Sequence, residues 1–588
     1  MGPPGSPPAT VALTQPKLQP MDLTSLKAVV AELAPALLPS RFEKAQQGRG
    51  HALQLGLRSL NGIHWLELSW QAEAPRLHAI APPPRQGEGS TLAQQLQHGL
   101  RGLALIHLQQ VGWERVVEFG FARRPGDPIE RWLVLELMGR HSNVFLLDGQ
   151  RRVVTLARQV RQQQSRWRPI GTGDLYQSPP PLQGEPPLLG ESRASWQRRL
   201  QLQDLPLAEA LLRSYQGISP ALGRQLVDPL DDATLLSTLV GSLTEAQWLA
   251  LHGRWQCWLR ALEQQCFGYW QREDHYRCWG EEPGLGSVNE GLAQYYIQVL
   301  AIRDHGQLQH QWCQRLQQAI AREGEQLLQQ QGLLAAVSQS ESFQQEADGL
   351  LSQANPGREQ IDRAQKLYKQ ARKLRRSGAA INLRIATHMQ RLQWLEASVT
   401  YLEQADNLAA LQSLVLDLEP EFLARSAGRS SGGPPPGRPG PSRRSSRRLP
   451  ADQGQPQPLE LASPAGLRLQ VGRNHRQNAW ISLKLARRGD LWFHAQECPG
   501  SHVVLKASEG PADSFDLDAA ADVAAYFSRA RGNRRVPVVM VETDALQRIP
   551  GAALGTVRHQ GGTVLWGEPH RAVALLNGVP SLAEAPLP

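Results

Sequence analysis

The chain has 588 residues, enough for about three or four domains, and its 41% hydrophobic content is ordinary for a globular protein. Its net charge of +9 favours an anionic partner, either RNA, DNA or an anionic membrane surface. The five cysteines contain no C-x-x-C pair, which argues against a disulfide framework and predicts a reduced, cytoplasmic protein. No apolar run reaches about 18 residues, so we predict no transmembrane helix and no membrane partner. Residues 1–20 are Pro/Gly-rich without the order of a secretory signal, and we expect a disordered extension.

Residues 21–180 carry the pattern of an α+β domain with antiparallel strands. Apolar residues recur at helical spacing over 22–38. Asn61-Gly62 separates two apolar runs, the strongest short-range signal for a β-hairpin. Leucine spacing predicts a helix over 91–111. Further strands are predicted at 63–70, 132–137, 143–147 and 153–156.

The chain then becomes helical. Gly217-Ile-Ser-Pro220 lies between two short helical patterns, which predicts a helix-hairpin-helix within residues 195–245. Backbone amides in such a turn can approach a phosphate, so Gly217 and Ser219 are candidate contacts. Residues 245–350 are predicted to be helical. Residues 246–425 are predicted to form an antiparallel coiled-coil hairpin that turns at Asn355-Pro-Gly357.

The second arm of this hairpin has a sustained heptad pattern and a basic cluster. The predicted seam positions are Ala364, Leu367, Ala371, Leu374, Gly378, Ile381, Ile385, His388, Leu392, Leu395, Val399 and Leu402. We interpret His388 as a polar seam residue that fixes the register of the two arms. The cluster is either a solvated helix face or a contact with a large anionic body. It consists of Lys366, Lys369, Arg372, Lys373, Arg375 and Arg376.

Residues 426–458 are rich in Pro, Gly, Ser and Arg, which predicts a disordered linker. Residues 459–588 again have the pattern of an α+β domain. We predict strands at 467–471, 536–541 and 563–566, and a helix at 519–527.

A stretch within this last domain, residues 471–506, is dense in polar and aromatic side chains and predicts a binding surface. Arg, Asn and Gln bind phosphates and planar polar groups, while Trp and His offer faces for stacking. The candidate binding residues, which the family resemblance described below assigns to RNA or the ribosome, are Arg473, Asn474, Gln477, Asn478, Lys484, Trp492, His494, Ser501 and His502.

The sequence lacks the motifs of the common enzyme classes. It has no Walker loop, no H-E-x-x-H and no G-x-S-x-G. His494, Cys498 and His502 are spaced by four, but a closed zinc site needs a fourth ligand. Ser501 and His502 are neighbours, whose side chains point to opposite faces of a strand. We therefore expect no catalysis, no metal and no cofactor.

Several motifs resemble the NFACT family. Gly472-Arg-Asn-His-Arg-Gln-Asn478, Asp490-Leu-Trp-Phe-His494 and Pro499-Gly-Ser-His-Val503 are similar to its C-terminal domain, and residues 135–148 to its N-terminal domain. The resemblance implies a multidomain α+β fold with an antiparallel α-helical coiled-coil hairpin between two α+β domains. The N-terminal part also resembles formamidopyrimidine-type DNA glycosylases. Those enzymes use an N-terminal proline, whereas Gly2 follows Met1 here.

The NFACT family includes ribosome quality-control factors and proteins labelled fibronectin-binding. The resemblance implies binding to large ribosomal subunits obstructed by peptidyl-tRNA, and recruitment of alanyl-tRNA for C-terminal alanine tailing of the stalled nascent chain. It also implies a small RNA-binding quality-control partner protein. Two alternatives stay open: a fibronectin-binding surface adhesin, which the lack of an export signal opposes, and a general RNA-binding scaffold without tailing activity.

The resemblance also implies tRNA-binding residues. Asp22 stands where the family has an aspartate opening the first helix, and Glu114-Arg115 aligns with the family's Asp-Arg pair. Glu114 departs from that pair by one methylene, which puts tailing in question. Without RNA, Glu114 and Arg115 could be a surface ion pair of little energetic value. The remaining tRNA-binding candidates, which could instead cap a turn, are Arg140, His141 and Asn143.

Overall fold

The computed structural model describes residues 18–85, 87, 89–163, 165, 168–180, 182–227, 234–272, 275–280, 284, 286–352, 357–427, 455–549 and 554–577. Most of the predicted N-terminal extension, most of the predicted linker and the turn at Asn355-Pro356 lie outside these residues. The chain divides into two compact units, one within residues 14–301 and the other within residues 302–588. None of the helices in the described ranges combines the length and the apolar character needed to cross a membrane.

The first unit is built on an antiparallel sheet with strand order β4-β3-β2-β1-β5-β6-β7-β8-β9. Its elements are α1 (Leu23–Leu37), β1 (Ser40–Gln47), β2 (Ala52–Ser59), β3 (Gly62–Ser69), β4 (Arg76–Ile80), α2 (Thr91–Gly99), β5 (Ala104–Gln110), β6 (Val116–Ala122), β7 (Arg131–Glu136), β8 (Asn143–Asp148) and β9 (Val153–Leu156). Leu26, Val29 and Leu33 of α1 are buried in the same core as the apolar side chains of the sheet. The hairpin predicted at Asn61-Gly62 is confirmed, because Ser59 pairs with Gly62.

The helix predicted over 91–111 is wrong in its second half. The helix ends at Gly99, and β5 begins at Ala104. Gly102, between them, has φ +80°, a left-handed conformation that glycine adopts without steric cost. β5 pairs with both β1 and β6, so strand pairing overrides the helical spacing of the leucines.

A helical layer and a hairpin complete the first unit. They are α3 (Arg193–Leu200), α4 (Leu207–Ser214), α5 (Pro220–Val227), α6 (Glu245–Glu263), β10 (Phe267–Arg272) and β11 (His275–Trp279). The helix-turn-helix predicted around Gly217 is present as α4 and α5. The prediction of continuous helix over 245–350 is wrong, because β10 and β11 interrupt it. Tryptophans dominate this layer: Trp196, Trp248, Trp255 and Trp258 are all buried.

The second unit begins with a pair of long helices. These are α7 (Val288–Leu351), whose residues from 302 onward lie in this unit, α8 (Arg358–Glu403) and α9 (Leu408–Ala427). His388 Nδ1 lies 2.8 Å from Glu323 Oε1, and Gln309 Nε2 donates to Leu402 O over 2.7 Å, so α7 and α8 run antiparallel. Every predicted seam position on α8 is buried or half-buried, including His388. The heptad prediction for this arm is therefore confirmed.

The second unit ends in an α+β domain. Its elements are β12 (Leu459–Ala462), β13 (Arg468–Val471), α10 (His475–Trp480), β14 (Leu491–Ala495), β15 (Val503–Leu505), α11 (Ser514–Tyr526), β16 (Val536–Glu542), β17 (Leu546–Arg548), β18 (Val557–His559), β19 (Thr563–Gly567) and α12 (Pro569–Leu576). The main sheet is antiparallel with strand order β12-β13-β15-β14-β16-β19. Alanines of α11 pack on one face. Ile481, Leu485, Leu546 and Val557 cover part of the other face. The multidomain α+β class predicted from the sequence is confirmed.

Candidate functional site

Three separate sequence motifs of the first unit line one cavity of about 540 Å³. Asp22 comes from the start of α1, Glu114 and Arg115 from the turn between β5 and β6, and Gly217 and Ser219 from the turn between α4 and α5. The cavity therefore collects three of the six residues predicted to bind tRNA, together with both residues predicted for the helix-hairpin-helix turn.

Asp22 joins α1 to the turn between α4 and α5. Its Oδ1 accepts hydrogen bonds from the backbone N–H and the hydroxyl of Ser25, at 2.9 and 2.7 Å, which caps the first turn of α1. Its Oδ2 accepts from the Ser219 hydroxyl at 2.7 Å. The Ser219 Oγ in turn accepts from the N–H of Leu222, which caps α5. One carboxylate thus fixes the distance between two walls of the cavity.

Glu114 and Arg115 are half-buried. The Glu114 carboxylate accepts from the N–H of Leu182 at 3.2 Å. Burial raises the pKa of Glu114, opposed by that N–H and by Arg115. Burial also lowers the pKa of Arg115, opposed by the charges of Asp22 and Glu114. Within the described ranges neither residue forms an ion pair at 4.0 Å or less, so the surface-pair alternative has no support in the geometry.

Gly217 is required where it stands. Its φ is +74°, and a Cβ there would lie 2.4 Å from Leu23 Cδ2 and 2.8 Å from Trp113 Cε3. The turn therefore approaches α1 and the loop after β5 more closely than any side chain allows. Gly217 therefore contributes to the site by allowing this close approach, which shapes the cavity.

A second cavity of about 400 Å³ shares Met138, Pro179 and Pro180 with the first. His141 and Asn143 line it, whereas Arg140 is exposed on the short helical turn before β8. Asn143 is 2% exposed. Its side chain donates to Arg158 O at 2.7 Å and accepts from the N–H of Arg158 at 2.9 Å. Its side-chain amide is therefore engaged inside the domain, as the turn-capping alternative requires.

A buried charge cluster beside this cavity was not predicted from the sequence. Arg168 makes two hydrogen bonds to the carboxylate of Glu136, at 2.9 and 2.6 Å. Tyr176 donates to the same carboxylate at 2.8 Å, and burial raises the pKa of Tyr176. The signal available in the sequence was Glu136 itself, a charged residue that directly follows the apolar run Trp132 to Leu135 of β7.

The basic cluster of α8 lies entirely on the exposed side of the helix. All six side chains are exposed, and none forms an ion pair with a described residue: Lys366, Lys369, Arg372, Lys373, Arg375 and Arg376. Arg375 donates to Gln344 Oε1 of α7. The cluster therefore presents uncompensated positive charge.

In the C-terminal domain the motif around residue 474 holds its own loop together. Asn474 caps α10 by accepting from the N–H of Gln477 at 2.7 Å, and Gln477 Oε1 accepts from the N–H of Arg473 at 2.9 Å. Asn478 donates to the hydroxyl of Tyr401 at 2.7 Å and accepts from the N–H of His502 at 3.1 Å. Asn474 and Asn478 are buried. Their side chains therefore lie inside the domain and not on the predicted binding surface.

The aromatic part of the motif is also largely internal. Trp492, Ser501 and His502 are 3%, 1% and 5% exposed, and the ring of His494 stacks on Trp492 at 5.6 Å. Burial lowers the pKa of His494 to about 4 and that of His502 well below its usual range. Both rings are thus neutral near pH 7. Of the predicted contacts in this domain, Lys484 is exposed and Arg473, Gln477 and His494 are half-buried. Arg473 lies 3.3 Å from Asp406 Oδ2.

A buried ion pair stabilises the loop that precedes β14. Lys506 Nζ lies 2.6 Å from Asp490 Oδ2, and both side chains are almost fully buried. Burial disfavours the charged carboxylate, but hydrogen bonds from Lys506, Ser508 and the N–H of Arg487 outweigh it, and the pKa of Asp490 is lowered. Asp490 belongs to the motif Asp490-Leu-Trp-Phe-His494, but its ion pair with Lys506 is visible only in the fold. Across the described residues no cluster of His, Cys, Asp or Glu has the geometry of a metal site.

Comparison with known proteins shows which family and which relatives this chain resembles. The sequence matches the family described as NFACT N-terminal and middle domains over residues 22–362. Rqc2 homolog RqcH of Streptococcus suis (strain 05ZYH33) is 25% identical over 582 residues, covering 92% of this chain and 96% of that protein. Rqc2 homolog RqcH of Bacillus subtilis (strain 168) is 23% identical over 563 residues, covering 90% and 94%. The solved C-terminal part of the fibronectin/fibrinogen-binding protein from Streptococcus suis is 26% identical and covers 45% of this chain and 95% of that one, with a TM-score of 0.35, too low to support a structural argument.

Proposed function

Because the chain belongs to the NFACT family, we propose that it is a ribosome quality-control factor. It binds large ribosomal subunits obstructed by peptidyl-tRNA and recruits alanyl-tRNA, so that alanines are added to the C-terminus of the stalled nascent chain. Relatives named Rqc2 homolog RqcH, at 23–26% identity over nearly the whole chain, support this proposal. The protein works in the cytoplasm without a cofactor, and peptide-bond formation is left to the ribosome.

The observation that carries the proposal is the convergence of Asp22, Arg115 and Ser219 on one cavity. Arg115 is a half-buried cation whose side chain makes no hydrogen bond to a described residue. It lines the same cavity as the glycine-containing turn between α4 and α5. A half-buried guanidinium that lines a cavity is suited to binding a phosphate or another anionic group of tRNA.

The basic cluster of α8 supplies a second contact in this proposal. Exposed lysines and arginines on a long helix pair are suited to the phosphates of ribosomal RNA, because each contact releases counterions. Binding to the subunit is then strongly salt-dependent.

The geometry of Glu114 favours one second candidate, a general RNA-binding scaffold without tailing activity. Its carboxylate accepts a hydrogen bond from Leu182 within the protein, and the residue is longer than the family's aspartate. A carboxylate held in this way is less available to a tRNA than a free one.

The two candidates are separated by replacing Arg115 with alanine and sequencing the C-termini of stalled nascent chains. If Arg115 binds tRNA, loss of hydrogen bonds to a charged group costs about 1.5–3 kcal/mol, or about a 10- to 150-fold loss in tRNA affinity. Alanine tails should then disappear. The general-scaffold candidate predicts RNA binding but no tails even in the unaltered protein.

A matched control lies at the far end of the same strand. Arg123 follows β6 about 26 Å from Arg115, its side chain is 76% exposed, and it pairs with Glu130 at 2.9 Å. Arg123→Ala should leave tailing unchanged. Equal losses in both variants would indicate a non-specific effect of charge and would refute the role of the cavity.

A further inference from the structure

A short segment crosses the turn between α4 and α5 and forms one wall of the cavity of about 540 Å³. We call this segment, residues 182–186, the strap. The Glu185 N–H donates to Ser214 O at 2.9 Å, and the Gln216 N–H donates to Glu185 O at 3.0 Å. These two bonds pair the strap with the turn in the manner of a short parallel strand.

A glycine allows the strap to lie directly on this turn. Gly184 has φ +87°, and a Cβ there would lie 2.8 Å from the carbonyl carbon and oxygen of Ser214. The Gln216 side chain donates to Gly184 O at 2.9 Å. Because a Cβ at this position would meet backbone atoms, which cannot turn aside as a flexible side chain can, the position requires glycine. On this side the strap is therefore held by close backbone contact.

On its other side the strap is held by Glu114. The Glu114 carboxylate accepts from the Leu182 N–H at 3.2 Å, and both residues line the cavity. The turn that carries Glu114 is itself fixed by Gln110, which is 7% exposed. The Gln110 side-chain amide donates to Val111 O at 2.8 Å and to Gly112 O at 3.0 Å. One carboxylate thus joins the strap to a turn that has its own internal hydrogen bonds.

The length of the side chain determines whether this contact forms. An aspartate at position 114 would hold its carboxylate about 1.5 Å further back, the length of one C–C bond. The distance of 3.2 Å to the Leu182 N–H would then become about 4.7 Å, beyond the range of a hydrogen bond. A glutamine has the reach of glutamate, and its side-chain carbonyl oxygen accepts the same bond. The methylene by which Glu114 departs from the family's aspartate is therefore what reaches the strap.

We propose that Glu114 is a positioning residue, which holds the strap against the turn between α4 and α5 and so sets the width of the cavity for tRNA. Arg115, the next residue, is the group that meets the anionic ligand. This inference rests on tRNA being the ligand of the cavity in the proposed function. It assigns to Glu114 a contact within the protein instead of a contact with tRNA, so the reach of its side chain matters more than its negative charge.

Three substitutions of Glu114 separate reach from charge in the full chain. Hydrogen exchange measures the strap amides, and fluorescence anisotropy measures binding of a labelled, unacylated alanine tRNA transcript. Glu114→Asp and Glu114→Ala remove the contact, so the Leu182 amide should exchange about 10-fold faster. Both variants should bind tRNA up to about 10-fold more weakly, because binding must first restore the strap.

Glu114→Gln keeps the contact. Its strap amides should exchange more slowly than those of Glu114→Asp, and it should bind tRNA more tightly than Glu114→Asp. A carboxylate that contacts tRNA directly predicts the reverse order of affinities, because aspartate keeps the charge and glutamine loses it. The reverse order therefore overturns the proposal.

Gly184→Ala displaces the strap without altering Glu114 or any charge. Forcing a Cβ against the backbone of Ser214 should speed exchange of the strap amides by about 5- to 150-fold. The variant should also bind tRNA as weakly as Glu114→Asp. Faster exchange of the strap amides with unchanged tRNA affinity, in either variant, would show that the position of the strap has no part in binding.

Glu43 provides a matched control. It lies on β1, pairs with Arg58 at 2.7 Å and is not among the residues that line the cavity. Glu43→Asp makes the same chemical change as Glu114→Asp and should leave both strap exchange and tRNA binding as they are in the unaltered protein. An equal loss of tRNA affinity in Glu43→Asp would count against a specific role of Glu114.

The two measurements also separate this inference from the proposed function. If the unaltered protein binds no tRNA, the proposed function fails, and exchange of the strap amides alone decides whether Glu114 holds the strap. If the protein binds tRNA and adds alanine tails but Glu114→Asp matches it in both measurements, the proposed function stands and the positioning role fails.

Discussion

Replacing Gly217 with alanine tests whether the turn between α4 and α5 is as tightly constrained as the structure indicates. At φ +74° an alanine costs about 1–2 kcal/mol relative to glycine. Its Cβ would also lie 2.4 Å from Leu23 Cδ2, and forcing an extra carbon into a packed site costs about 1–3 kcal/mol. The two effects together predict a local loss of about 2–5 kcal/mol.

Hydrogen exchange of backbone amides in the full chain is the suitable assay, because a chain of several domains does not unfold in a single step. Amides of α1 and α5 should exchange at least about 30-fold faster, which corresponds to about 2 kcal/mol. Gly253 is the control: it lies within α6, and a Cβ there would meet no atom within 4 Å. Gly253→Ala should stabilise α6 by about 0.5–1 kcal/mol. Unchanged exchange in α1 and α5 of the Gly217 variant would refute the packing argument.

Two further predictions concern charged groups of the second unit. Asp490→Asn leaves Lys506 buried without its partner and should cost about 3–5 kcal/mol, measured by urea unfolding of the C-terminal domain at neutral pH. Because the folded pKa of Asp490 is lowered, its contribution is present above the usual aspartate pKa and is lost as the pH falls through the folded value; the variant should lack this acid-dependent loss. Replacing three exposed lysines of α8 with glutamate should weaken co-sedimentation with large ribosomal subunits and reduce its salt dependence, with circular dichroism confirming that α8 stays helical. These lysines are Lys366, Lys369 and Lys373; unchanged sedimentation would contradict the proposed contact.

Predictions based on short-range signals agree with the structure. Asn61-Gly62 predicted the hairpin of β2 and β3 because a tight turn depends on the few residues within it and beside it. The turn itself is Leu60-Asn61, and Gly62 begins β3. The seam of α8 was predictable because every seventh residue meets the partner helix in the same way, whatever lies around the pair. In both cases the residues that determine the structure are close together in the sequence.

Predictions failed where pairing between strands that are far apart in the sequence determined the secondary structure. Leu100 and Leu103 continue the helical spacing of Leu92 and Leu96, but they lie in the loop between α2 and β5. β5 is a strand because β1 and β6 lie on either side of it. The same holds for β10 and β11, which interrupt a region of strong helical propensity. A single sequence does not show which strands will lie beside a given segment in the folded protein.

The candidate site also contains residues whose role the sequence predicts and residues whose role only the fold reveals. Polar residues such as Asn474 and Asn478 were predicted to face RNA because their side chains are well suited to it, yet the same donors and acceptors are what a buried loop needs to satisfy its backbone. Residue type alone cannot separate the two uses, because both require fixed hydrogen-bonding groups. Exposure separates them: the lysines and arginines of α8 are exposed and form no ion pair with a described residue, whereas the amides of the C-terminal motif are buried and hydrogen-bonded. Recognition is therefore to be sought at charged side chains that the fold leaves without an internal role, such as the exposed lysines of α8.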